Sequence, residues 1–268
     1  MIYKVDSRVR PEIPAEEIIA VKNSKPIDFQ KPYRFIYTQW WFLLMSVPFN
    51  ALVAFLLWLC SVFFYGLKVV DRRKVRKLMR RKGCIVMSNH CHYLDTAYAS
   101  VILWPRRLYI SVVQRNFEVP IARTLLWLVN CFPIPASPSG LKMITSSVGS
   151  VLKRKKHVLF MPEGNLVYLS QKIYRFRLGG FQQSYFHQAP LVPIVYVLKR
   201  RRIFGIEMPK HWVKMICVFG DPVMPPPLRA DMELPKEELQ QMADHVASWM
   251  ESTIQSYQAR FRRAQTIN

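Results

Sequence analysis

The residues best placed to do chemistry lie between Cys84 and Asp95, in the stretch CIVMSNHCHYLD. Cys84-Ile85-Val86-Met87 is a short apolar run of the kind that forms a buried strand. The run breaks at Ser88-Asn89, places His90 just past the break and puts Asp95 five residues later. On one continuous helix, positions five apart point about 140° away from each other. The two side chains therefore meet only if His90 sits in a loop and Asp95 in the first turn of the following helix. A carboxylate there gains from the helix N-terminus and accepts a hydrogen bond from one imidazole nitrogen. The other nitrogen is then a base aimed outward, which is the orienting logic of a catalytic dyad.

Two later stretches add to this. Phe160-Met161-Pro162-Glu163-Gly164-Asn165 also ends an apolar run, where α/β folds bind ligands at strand carboxyl ends. Ala189-Pro190-Leu191-Val192-Pro193-Ile194-Val195 is a strand entry carrying two prolines. Cys84, His90, Cys91 and His92 are metal-ligand types, but neighbours at 90, 91 and 92 lack finger-type spacing and no second ligand pair follows. No metal site is expected, and a Cys91 thiol hydrolase lacks any partner signature.

The elements that must position these residues follow from the pattern around them. Strand-like runs are Cys84–Met87, Leu108–Val113, Val158–Met161, Leu191–Val197 and Met215–Phe219. Helical stretches alternate with them at about Thr96–Leu103, Ile121–Val129, Leu141–Lys153 and Leu178–His187. The expected fold class is α/β, a mixed central sheet flanked by helices. A last helix starts near Pro235. Its stripe of Leu239, Met242, Val246, Trp249, Ile254, Tyr257 and Phe261 faces core or membrane and carries no chemistry.

From Phe35 to Leu67 the chain has 33 residues without Asp, Glu, Lys or Arg. A bilayer core needs about 20 apolar residues in a helix. Trp40, Trp41 and Tyr65 sit where interfacial anchors belong. The expectation is an N-terminal membrane-embedded helix or helical hairpin, with Pro48 and Asn50 marking a hinge if it is a hairpin. The apolar run is too long for a signal peptide. Val69, Val70, Val75 and Leu78, spaced among the basic residues of 68–82, suit an amphipathic interfacial helix. Those basic residues place the following domain on the cytoplasmic face, against anionic membrane lipids.

The formal net charge of +22 calls for a polyanionic partner. The apolar segment selects a membrane over nucleic acid. With 51% hydrophobic residues the chain is not a disordered polycation. Five scattered cysteines, an odd number, give no disulfide framework and fit a reducing compartment. Three regions result: an extended, weakly ordered lead-in over 1–34, a membrane anchor and basic segment over 35–82, and a catalytic domain over 83–268.

Taken together and in this order, the motifs resemble the glycerolipid acyltransferase family, typified by enzymes acting on 1-acylglycerol-3-phosphate. Asn89, His90 and Asp95 match its NH-x4-D motif, and Phe160, Pro162, Glu163 and Gly164 match part of its F-P-E-G-T-R motif. Val192-Pro193-Ile194 matches its late strand, with Arg177-Leu178-Gly179-Gly180 and Gly220-Asp221-Pro222 in support. The resemblance spans roughly residues 80–225. It implies a membrane-bound O-acyltransferase of phospholipid synthesis moving a fatty acyl group from a thioester donor, acyl-CoA or acyl-acyl carrier protein, to a lysolipid hydroxyl. His90 and Asp95 would be catalytic, with Asn89, Glu163, Gly164 and Asn165 binding substrate, and no tightly bound cofactor. The chain departs from the family at two arginines: Asn165-Leu166 stands where Thr-Arg is usual, and Asn130–Ala136 lacks the arginine of the second motif. Arginine is the natural phosphate clamp. Lys172, Arg175 and Arg177, just after Glu163, are the candidates to replace it. An acceptor without a phosphate monoester and a non-catalytic basic membrane-binding protein are the competing readings. His92 is a loop-packing residue or a second proton carrier.

Overall fold

The computed structural model describes residues 10–14, 27–29, 31, 33–37, 39–135, 138–203, 206–229 and 233–266. The chain order is α1 (Trp40–Cys60, continuing as a π-turn Ser61–Tyr65), β1 (Lys68–Val70), α2 (Arg72–Arg81), β2 (Ile85–Ser88), α3 (Asp95–Leu103) and β3 (Leu108–Val113). There follow a 3-10 turn (Gln114–Phe117), α4 (Pro120–Leu128), β4 (Cys131–Ile134), α5 (Pro138–Lys153), β5 (His157–Phe160) and α6 (Gly179–Phe186). β6 (Leu191–Arg200), the short hairpin β7 (Arg202–Ile203) and β8 (Ile206–Glu207), β9 (Val213–Phe219) and α7 (Lys236–Thr266) complete it.

Seven strands form one sheet in the order β1-β9-β6-β2-β5-β3-β4. β6, β2, β5, β3 and β4 run parallel, and β9 pairs antiparallel with β6, so the sheet is mixed, as expected. Side-chain alternation makes two cores. Ile85, Met87, Phe160 and Leu191 pack under α5, α6 and α7, while Val86, Leu159, Val192 and Ile194 pack under α2 and α3. The α7 stripe faces the first of these cores, with Leu239, Met242 and Val246 fully buried.

Several sequence expectations need correction. Lys68–Val70 is a strand paired with β9, not the start of an amphipathic helix. Gly66 at φ 50° and Asp71 at φ 61° are left-handed, so the chain turns on either side of these residues. Only α2 is the helix, and it buries Val75 and Met79. The expected boundary at 83 therefore falls inside the layered domain. β4 went unread because Pro133 argues against a strand. Here it is the last strand of the sheet, where a missing N–H is tolerated. The apolar helix begins at Trp40, not Phe35, whose ring is buried and stacks on Phe29 at 5.6 Å. It runs without a hinge through Pro48. Trp40–Tyr65 is, by length and composition, long and apolar enough to cross a membrane.

The lead-in is also tied down where it is described; residues 1–9 and 15–26 lie outside the described set. Arg10 is buried against α7, with Nε 2.9 Å from Glu251, Nη1 3.2 Å from Asp244 and Nη2 2.8 Å from the Ser248 hydroxyl. Its replacement leaves two half-buried carboxylates without their cation. Arg10→Ala is expected to cost about 2 kcal/mol in a denaturant titration. An unchanged midpoint would mean the segment is not held there.

Candidate active site

β2 ends at Ser88, and Asn89 carries its pairing one step further without a backbone ladder. The Asn89 Nδ2 donates to the Tyr196 carbonyl at 3.2 Å and its Oδ1 accepts from the Tyr196 N–H at 2.8 Å. Both ends of a buried amide are thus committed to β6. Asn89 thereby fixes where the strand stops and the His90 loop begins.

His90 leaves that loop with Nδ1 at 3.1 and 3.0 Å from the two Asp95 oxygens. Asp95 is the first residue of α3 and fully buried. It also accepts the backbone N–H groups of Cys91 at 2.9 Å, His92 at 3.1 Å and Thr96 at 2.6 Å. Three fixed donors hold the carboxylate, the carboxylate holds Nδ1–H, and Nε2 of a neutral ring is left as the acceptor. The His90 side chain is 22% exposed, open enough to be reached. Burial pushes its pKa down, but the Asp95 charge and hydrogen bond, with Glu163 adding, outweigh this and leave it above the ordinary imidazole value.

Glu163 completes the frame from the end of β5. Its Oε2 accepts the His90 N–H at 3.0 Å and its Oε1 accepts the Tyr174 N–H at 3.1 Å. Burial raises its carboxyl to about 7, against the lowering effect of these two N–H groups. Gly164 follows at φ 83°, and a Cβ there would lie 2.8 Å from the Arg177 Nε, so only glycine suits the turn. The next loop is laced to the first: Val167 N–H donates to the His90 carbonyl at 3.3 Å and Leu169 N–H to that of Cys91 at 2.7 Å. Glu163 therefore ties the two loops together.

The other expected residues divide. Gly164 and Arg177 line a cavity of about 760 Å³ at the carboxyl ends of β3, β4 and β5, and Asn165 is half-buried at the adjacent bend. Arg175 does not join them. Its Nη1 pairs with Glu12 at 3.0 Å on the exposed surface, and Lys172 lies over the Tyr174 ring at 5.8 Å. His92 is buried between Tyr65 and Tyr168, and its Nδ1 accepts the Leu94 N–H at 3.2 Å. Burial lowers its pKa, so it packs the loop as a neutral ring. Arg115 and Lys142 also line the cavity, and the sequence reading missed both. No motif marks them, since they reach the pocket from the 3-10 turn after β3 and from α5.

An α/β layered domain with a carboxylate-oriented imidazole at its strand ends defines a class of proteins in which the free ring nitrogen is able to accept a proton. Known proteins narrow that class. Residues 66–197 match the Acyltransferase family. The human 1-acyl-sn-glycerol-3-phosphate acyltransferase beta is 28% identical over 136 residues, 50% of this chain and 48% of that protein. The chain thus matches about half the length of this curated relative. The fold is shared with the 1-acyl-sn-glycerophosphate (LPA) acyltransferase PlsC of Thermotoga maritima, at a TM-score of 0.56 and 14% identity, covering 78% of this chain and 80% of that one. The sequence matches agree with the resemblance to the glycerolipid acyltransferase family that the motifs indicate.

Proposed function

We propose that this protein is a membrane-seated O-acyltransferase that esterifies the free hydroxyl of a phosphate-bearing lysolipid. The observation that carries the reading is the bidentate hold of Asp95 on His90 Nδ1. His90 Nε2 takes the proton of the acceptor hydroxyl as its oxygen forms a bond to the thioester carbonyl carbon. The carbon–sulfur bond then breaks, and the imidazolium returns its proton to the departing thiolate. The donor is a fatty acyl thioester of coenzyme A or of acyl carrier protein. An apolar cavity of about 370 Å³ between α1, α3 and α4 runs from Thr96, beside Asp95, to Trp104, and suits the acyl chain.

The seating rests on α1. Its flank is bound to the domain: Ser46 accepts from Arg107 at 3.2 Å, and Asn50 bonds to the Leu128 carbonyl and to Asn130. Trp40, Leu44 and Phe63 remain exposed on it, as do Ile121 and Leu125 on the neighbouring α4. Polar ties along the helix favour α1 lying in the membrane plane with the domain on the surface, over a crossing that leaves the domain behind. The basic face of α2 suits the anionic cytoplasmic leaflet.

Arg115, Lys142 and Arg177 supply the phosphate clamp that the family's usual arginine positions lack. The Arg115→Gln, Lys142→Gln double variant is expected to raise KM for 1-acylglycerol-3-phosphate by about 10-fold or more, with kcat little changed. An unchanged KM for this acceptor would remove the phosphate clamp from the reading.

A further inference from the structure

The amino ends of the parallel strands hold a polar cavity, at the opposite end of the strands from His90. Ile85 pairs with Val158 at the start of β2 and β5, whereas His90 lies past the end of β2, which is itself about 10 Å further along at the rise of a strand. The cavity is a cleft of about 970 Å³ between α2, the turn from α3 to β3, and the entry to β5. Arg72, Arg73, Arg76 and Arg80 enter it from α2, with Arg106 and Lys156 opposite. Asp71 is the one acid among its lining residues, and Lys74 holds it at 3.3 Å. A basic cluster alone is an ordinary solvated face. The second observation is His157.

His157 lines the same cleft yet is fully buried. Its Nδ1 stands 3.3 Å from the Cys84 N–H and accepts it, which puts the ring proton on Nε2. That Nε2 is shut off from solvent and has no hydrogen-bond partner among the described residues. Burial, with Arg106 and Lys156 adding, lowers the His157 pKa to about 4, so the group is a neutral N–H donor at physiological pH. A buried donor without an acceptor, on a side chain that lines a cleft of arginines, is half of an anion site.

We propose that this cleft binds a phosphate group, through Nε2–H of His157 and the guanidinium groups of Arg76 and Arg106, independently of acyl transfer. The phosphate is that of a lipid headgroup or a free phosphate. An apolar lane adjoins the cleft, because Trp104, Pro105 and Arg106 line both it and the cavity beneath α1. An anion held there ties α2 to the α3–β3 turn and so links the basic segment to the body of the sheet.

The test follows the six histidine rings of the full chain in detergent by nitrogen-15 NMR, with His157→Gln assigning the Nε2–H signal. Inorganic phosphate and dihexanoyl phosphatidic acid are titrated separately, at ionic strength matched with sodium chloride. A saturable shift of the His157 signal is expected. A shift with both ligands, or with inorganic phosphate alone, assigns the site to phosphate itself, and a shift with the lipid alone assigns it to a headgroup. Arg76→Gln with Arg106→Gln should weaken binding about tenfold or more while the other histidine signals stay in place. His90→Ala should bind as the wild type does, which separates this site from the acyl-transfer reading. An equal shift with chloride, no saturable shift with either phosphate source, undiminished binding in the double arginine variant, or loss of binding in His90→Ala would each overturn the proposal.

Discussion

Asp95→Asn is expected to lower kcat/KM for acyl transfer by about 10²–10⁴-fold, the range for loss of an effective general base. Asp95 receives four donors: the backbone N–H groups of Cys91, His92 and Thr96, and Nδ1–H of His90. Asparagine must turn its NH2 toward some of them, so His90 loses its orientation even though its ring remains. His90→Ala removes the base itself and should show at least the same loss. The pH profile separates this effect from simple unfolding. The His90 pKa is raised, so the cation is favoured in the folded protein and the base is free only above that value. The acid limb of kcat/KM should therefore lie above the ordinary imidazole pKa of about 6.5. In Asp95→Asn, where burial acts without the carboxylate, the limb should move down. The same sign governs stability: the contribution of protonated His90 is full below the unfolded pKa and is lost as pH rises through the folded one. Catalysis thus uses the form that has given up that contribution. An acid limb that stays in place in Asp95→Asn would contradict the dyad.

Glu163→Ala should have the second largest effect, through structure and not through substrate. It strips the acceptor from two backbone donors, His90 N–H and Tyr174 N–H, the latter buried. At about 1–3 kcal/mol for each unsatisfied group, the loss is about 2–6 kcal/mol. Thermal unfolding should show it, and kcat should fall because the His90 loop is no longer held. Glu163→Gln keeps one acceptor and should fall between. The wild-type carboxyl is raised to about 7, so its stabilising contribution is present below the unfolded pKa and is lost as pH rises through about 7. Glutamine does not titrate, so its stability deficit should shrink over that interval. A Glu163→Ala protein of wild-type stability with only KM raised would return Glu163 to the role of substrate contact.

Much of the fold was legible because its buried strands are short apolar runs between amphipathic helices. Leu108–Val113 was read to the residue, and α3, α4, α5 and α6 to within a few. What escaped was set by partners distant in sequence. β1 is three residues long and exists because β9 offers an edge, and β4 contains a proline that only an outer strand tolerates. At the site, His90 and Asp95 were legible because both lie on one strand–loop–helix unit, where local spacing decides whether they meet. Asn89, Glu163 and Arg175 have the partners Tyr196, Tyr174 and Glu12, which no local pattern connects to them. Arg115 and Lys142 were missed for the same reason. The cations that line the pocket are brought there by the fold, not by local spacing.

The central claim is tested most directly by incubating the purified full chain in phospholipid vesicles with 1-acylglycerol-3-phosphate and a labelled acyl thioester, then detecting the diacyl product by mass spectrometry. The account predicts labelled diacyl product from the wild type and none above background from His90→Ala of equal fold. Product formation by His90→Ala at the wild-type rate would contradict it.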